Sequence, residues 1–140
     1  MRRIFFVAIL IGLIIVAAGL VLKNIDRPDG RLVVSSSLVD FGDIDQSRGA
    51  VEATVEVSNA GGRTLEIYRL STSCGCTTVQ MDQSPLLPGD KRTLTIRFDP
   101  MVHPDESGPI TRAVYMQSSD PEQPEVIIDI TGNVIPTTSL

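Results

Sequence analysis

The residues best suited to chemistry in this sequence are two cysteines one residue apart, Cys74 and Cys76, with Gly75 between them. In an extended strand side chains at i and i+2 share a face, and a rise of roughly 3.3 Å per residue puts their α-carbons about 6.6 Å apart. That lies near the upper end of the range of about 4.4 to 6.8 Å that a disulfide accepts, and a central glycine lets the backbone bend inward. A local disulfide or redox-active pair is therefore one reading. At that limit of the geometry the bridge would be strained and easily reduced, and closing so short a loop removes little entropy from the unfolded chain, so it would be of small value to the fold. A second reading is a soft-metal site, in which two thiolates bind Cu(I) or Zn and a third ligand comes from Met81, Met101, His103 or Met116. The third is a buried pair packed as small hydrophobes.

Other chemistry is sparse. His103 is the only histidine and falls in the proline-rich loop 99–109. Nothing in the sequence pairs a histidine with a serine or cysteine nucleophile outside that loop, and no Gly-Xaa-Ser-Xaa-Gly string occurs. The neighbouring carboxylates Asp43 with Asp45 and Asp105 with Glu106 read as solvated acidic loops. Phosphate-cradling glycine loops and calcium-type acidic loops are missing. The sequence thus predicts no catalytic residue, no enzymatic activity and no cofactor.

The elements that must hold the cysteines divide the chain into 1–23, 24–30, 31–134 and 135–140. Residues 4–22 are nineteen in a row without a charged or hydrogen-bonding side chain. As a helix rising about 1.5 Å per residue they span roughly 28 Å, close to the hydrocarbon thickness of a bilayer. Arg2 and Arg3 precede this run, which places the N-terminus in the cytoplasm and everything after Lys23 outside, in the periplasm. The expected arrangement is a single-pass anchor in the cell inner membrane. A cleaved signal peptide, with Ala17-Ala18-Gly19 offered to a peptidase and the rest secreted, is the alternative. No cysteine follows the apolar run, so the usual lipoprotein attachment is absent. Outside the cytoplasm two free thiols are prone to oxidation, which favours a bonded or occupied pair.

Arg2, Arg3 and Lys23 belong to the anchor, so residues 24–140 carry nine basic and seventeen acidic groups, a net charge of −8. Such a surface repels phosphate backbones and acidic lipid head groups, and it excludes nucleic acid as a partner. The polar 24–30 segment, with Pro28 and Gly30, reads as a linker. Beyond it apolar residues recur with period two and not with helical spacing. Val51, Ala53, Val55 and Val57 alternate with Glu52, Thr54 and Glu56. Leu94, Ile96 and Phe98 alternate with Thr95 and Arg97. Further strands are predicted over 32–34, 39–44, 64–70, a segment from Cys74 to Val79, 110–117 and 126–134, with a frayed tail at 136–140. The expected core includes Phe41, Val55, Val57, Leu65, Ile67, Leu94, Ile96 and Phe98.

Five motifs in order carry a resemblance: Val39-Asp40-Phe41-Gly42, Val57-Ser58-Asn59 with Gly61, Ser73-Cys74-Gly75-Cys76-Thr77, Leu87-Pro88-Gly89 and Ser118-Ser119-Asp120-Pro121. Together they resemble the bacterial domain-of-unknown-function family numbered 1573, over roughly residues 32–134. The family commonly shows Ser-Asn-Asp-Pro where this chain has Ser118-Ser119-Asp120-Pro121, a change that should leave the turn intact. The resemblance implies a fold similar to the immunoglobulin-like domains of major sperm protein and Hydin-type proteins, and an adhesive or scaffolding tendency instead of a reaction.

Read as residues, the same motifs are turn chemistry. Gly42 suits a bulge, Asn59 and Gly61 can tolerate positive φ, and Pro88-Gly89 and Asp120-Pro121 break strands. Seven or eight short strands in about 110 residues define an all-β, immunoglobulin-like β-sandwich preceded by one N-terminal transmembrane helix. Two functions follow as expectations. One is a membrane-anchored module that binds an unknown protein partner through a sheet edge or loops. The other is a redox or soft-metal handling protein acting through Cys74 and Cys76.

Overall fold

The computed structural model describes residues 11–14 and 29–137. Residues 11–14 are helical; the rest of the 4–22 segment, most of the 24–30 linker and the end of the tail lie outside the described residues. Among the described residues no helix is long and apolar enough to cross a membrane.

Eight strands follow: β1 (Leu32–Val34), β2 (Leu38–Asp45), β3 (Val51–Asn59), β4 (Ile67–Thr72), β5 (Thr77–Gln80), β6 (Lys91–Phe98), β7 (Gly108–Ser118) and β8 (Glu125–Ile135). Short 3-10 turns occupy Gln46–Arg48 and Pro100–Val102. The strands form two four-stranded sheets, β1-β3-β6-β5 and β2-β8-β7-β4. All pairings are antiparallel except β2 with β8.

Alternating strands sort apolar side chains into the space between the sheets. Val55 and Val57 of β3, Leu94, Ile96 and Phe98 of β6, Val114 and Met116 of β7, and Ile128 and Ile130 of β8 are fully buried there. Each such side chain contributes roughly 1.5 to 3 kcal/mol relative to exposure. A smaller cluster closes one end of the sandwich: Ile44, Cys76, Phe98, Ile110 and Val134.

Several local expectations are revised. The predicted strand 64–70 is two pieces, because Leu65 bridges Leu86 while Ile67 pairs with Ser118 of the other sheet. Glu66 makes the crossing by exchanging bonds with Ser119, whose hydroxyl accepts from the Glu66 amide at 2.9 Å. Phe41 is only half-buried and packs against both clusters. It sits on an edge strand beside a register shift at Gly42, whose φ of 61° needs no side chain in its way. Ile44, two residues beyond the bulge, takes the buried place.

No residue other than glycine has positive φ among those described, so Asn59 is not a left-handed turn residue. It is a buried hub instead: its side-chain oxygen accepts from the Arg31 and Gly61 amides, and its nitrogen donates to the Arg63 and Leu86 carbonyls. Gly61 is required by proximity and not by φ, since a β-carbon there would stand 1.9 Å from the Asp29 carbonyl oxygen. Pro109 lies inside β7 and not in the preceding loop. It is tolerated because β4 reaches β7 only from Val114 onward, leaving that side of Pro109 without a ladder.

Candidate functional site

Cys74, Gly75 and Cys76 do not continue a strand. They form a turn between β4 and β5, where the chain leaves one sheet for the other. Thr72 organises the turn, its hydroxyl 3.0 Å from the carbonyl oxygens of both Cys74 and Thr77. Ser73 ties it to β7 by donating to the Ala113 carbonyl and accepting from the Ala113 amide. Bending brings the cysteine α-carbons to 5.4 Å, shorter than the extended spacing, and the two sulfurs are bonded to each other.

The bridge is asymmetric. Cys76 is 2% exposed and belongs to the end cluster with Phe98 and Ile110, whereas Cys74 is partly open to solvent. Arg112 lies across it, its Nε donating to Cys76 Sγ at 3.3 Å. The Cys76 amide donates to Cys74 Sγ at 3.2 Å. The Thr77 hydroxyl stands 3.9 Å from both sulfurs.

Arg112 occupies an inward-facing place on β7, between buried Ile110 and Val114 in the alternation. A guanidinium cannot be left there unpaired. It is held by Glu106, with which it forms an ion pair, and by the Thr111 carbonyl at 2.8 Å. Glu106 is therefore part of this corner and not a solvated loop carboxylate. The loop that carries it is fastened at three points. The Asp99 amide donates to the Cys76 carbonyl at 2.8 Å, and buried Gln46 donates to the Pro104 and Glu106 carbonyls.

The same loop delivers His103, placing a ring nitrogen and both cysteine sulfurs within 4.8 Å of one another. Of the four side chains considered as a third metal ligand, Met116 is fully buried in the main core, Met81 packs against it and Met101 is exposed. His103 is brought to the cysteines. The three together offer a soft-metal donor set only with the bridge opened, because the thiolate and not the disulfide sulfur is the ligand. Asp43 accepts from Asn133 and Asp45 caps the turn at Ser47, so neither joins this corner.

A second feature lies at the opposite edges of both sheets. After β1 the chain crosses through Ser35–Ser37 to the other sheet, where β2 pairs with β8 only from Leu38↔Asp129 onward. The first four residues of β8, Glu125 to Ile128, extend beyond that pairing. The Asp129 amide points to Ser37 at 2.8 Å, so by alternation the backbone groups of Ile127 point to the same, unladdered side. A cleft of about 240 Å³ opens there, lined by Val33, Val34, Ser37, Val126 and Ile127 among others. Val33, Leu38 and Ile127 are 40%, 52% and 45% exposed.

Two four-stranded sheets packed face to face, antiparallel throughout except for the β2–β8 pair, define an immunoglobulin-like sandwich. The chain belongs to the family described as "Protein of unknown function (DUF1573)", which matches residues 32–134. Among solved structures it is similar to a protein of unknown function from Porphyromonas gingivalis, with 25% identity and a TM-score of 0.68 over 74% of this chain and 46% of that one. The chain thus spans less than half the length of that relative. The ASH/PapD-like domain of human CEP192 is similar in fold at 12% identity and a TM-score of 0.60, covering 76% of this chain and 87% of that one. So is the periplasmic chaperone SfaE, at 12% identity and 0.52, covering 77% and 59%. No curated protein matches the chain.

The sequence points to the cysteines and to His103, but it gives Glu106 only as a solvated loop carboxylate and assigns no role to Arg112. A signal for Arg112 was present: in Ile110-Thr111-Arg112-Ala113-Val114 the arginine stands where the alternation calls for an apolar residue. Such a charge implies a buried partner.

Proposed function

We propose that this domain is a binding module, tethered to the outer face of the membrane by residues 4–22, that takes up an extended apolar segment of another protein as an added strand. The observation that carries this reading is the unladdered stretch Glu125 to Ile128 of β8 beside the outer edge of β1, on which no strand is paired and where only the Leu32 amide is taken, by Asp120. Edge backbone groups supply the hydrogen bonds for strand addition, and the flanking apolar side chains supply selectivity. Val33, Leu38 and Ile127 provide those contacts. The immunoglobulin-like fold supports a binding role, and the net charge of −8 beyond the anchor favours a neutral or basic partner over an acidic one.

A photo-crosslinker placed at Ile127 in the full chain, in membranes, tests the proposal. It should capture a discrete protein species, and that capture should be lost on adding Val33→Lys, since an edge lysine blocks pairing. Capture that is equally strong from the exposed Tyr68 would overturn it. The alternative, redox or soft-metal handling, is favoured by the Arg112 contact to Cys76. The two readings are compatible, because the cysteines lie between β4 and β5, at the edges away from β1 and β2.

A further inference from the structure

We propose that the Cys74–Cys76 bridge is a thiol-exchange site with a fixed direction: an incoming thiolate bonds to Cys74, and Cys76 departs as a thiolate onto the guanidinium of Arg112. The inference stands independently of strand addition at the opposite edge.

Thiol–disulfide exchange is governed by which sulfur can be reached and which one leaves best. Access favours attack at Cys74, since Cys76 is buried against Phe98 and Ile110 while Cys74 is partly exposed. Leaving-group stabilisation points the same way. A developing negative charge on Cys76 Sγ meets Arg112 Nε at 3.3 Å, with the Thr77 hydroxyl nearby. An adjacent arginine favours thiolate over thiol. The opposing contact, the Cys76 amide at 3.2 Å from Cys74 Sγ, is a neutral donor, and charge-assisted hydrogen bonds are roughly twice as strong. Glu106 pairs with a different nitrogen of Arg112, which orients Nε towards the sulfur while tempering the charge.

The co-reactant is a protein dithiol. Its first thiolate forms a sulfur–sulfur bond to Cys74 as the Cys74–Cys76 bond breaks, and the electron pair goes to Cys76. The partner's second thiolate then attacks the partner's first sulfur in the mixed disulfide, closing the partner's disulfide and releasing Cys74 as a thiolate. Two electrons pass from the partner to the cysteine pair, and the partner's two protons go to the released sulfurs or to solvent. His103 is exposed and has a ring nitrogen within 4.8 Å of both sulfurs.

The test uses the oxidised full chain in detergent, reduced glutathione as the probe, a rapid alkylating quench, and fragmentation mass spectrometry to locate each adduct. Glutathione should be found on Cys74 and the alkyl group on Cys76, with a preference of about tenfold or more. Glutathione on Cys76, an even split, or a folded protein that does not react would each overturn the proposal. Arg112→Met should slow the opening by about tenfold and erode the preference, with Arg112→Lys intermediate. Unchanged kinetics and adduct position in a folded Arg112→Met protein would overturn the role of Arg112. The wild-type adduct position remains decisive if that variant does not fold. Val33→Lys should leave the exchange unchanged, which separates failure here from failure of the strand-addition reading.

Discussion

Replacing Asp120 by alanine would remove a carboxylate that joins the two sheets at the end of the sandwich far from the cysteines. Asp120 is buried, and one oxygen accepts from the amide of Leu32 at 2.8 Å, at the start of β1. The other accepts from Glu122 and Gln123 at 2.9 and 3.1 Å, within the β7–β8 turn. Stranding the buried Leu32 amide costs about 1 to 3 kcal/mol, and losing the two partly exposed bonds adds about 1 kcal/mol. A total of about 2 to 4 kcal/mol is a large share of the roughly 5 to 15 kcal/mol that holds a domain. At about 4 °C per kcal/mol for a domain of this size, the melting temperature should fall by about 8 to 16 °C.

The acid limb gives a second readout. Burial raises the carboxyl of Asp120, but the amides of Leu32, Gln123 and Glu122 and the charge of Arg31 outweigh it, holding the group below its ordinary value. Such a carboxylate contributes stability that is full above the unfolded-chain value of about 3.9 and is lost as pH falls through the folded value. The stability gap between the parent and Asp120→Asn should therefore be widest near neutral pH and shrink below about pH 4. Urea unfolding at several pH values measures it. An alanine variant that melts within about 3 °C of the parent, or a gap that does not shrink in acid, would refute the reasoning.

Ile96→Asp puts a charge at a fully buried place on β6 and should leave a chain without a cooperative melting transition, as read by circular dichroism. Gly61→Ala drives a β-carbon into backbone at 1.9 Å and should cost about 1 to 3 kcal/mol in urea unfolding, where a harmless glycine replacement would be neutral or stabilising. The double change Cys74→Ser with Cys76→Ser should lower stability by no more than about 2 kcal/mol, because the bridge closes so short a loop. The intact mass of the protein from membranes should retain residues 4–22, and a mature N-terminus near Leu20 would contradict the anchor.

How far the sequence reaches can be judged from particular strands. Those of β3 and β6 were legible because each has one wet and one buried face, so Val55, Val57, Leu94, Ile96 and Phe98 alternate visibly with polar neighbours. Leu86 was not, although it is fully buried, because its bridge to Leu65 is isolated and no alternation surrounds it. Asp120 was legible as a turn residue but not as a tie between sheets, since its partner Leu32 is 88 residues away.

At the cysteine corner the sequence by itself determined the proximity of two sulfurs, because that follows from i and i+2 spacing and a glycine. It also determined that the surrounding fold would be built of strands, because period-two burial is a local property of the backbone. Only the tertiary structure decided that the sulfurs sit in a turn between sheets, with one buried and one open. Only it brought Arg112 from β7 and His103 and Glu106 from the preceding loop to the same place. Which strands become neighbours depends on closing long loops around a shared core, and many pairings satisfy the same alternation. Contacts between residues some 36 positions apart, as between Cys76 and Arg112, are therefore settled by the packing of the whole sandwich and not by any stretch of its sequence.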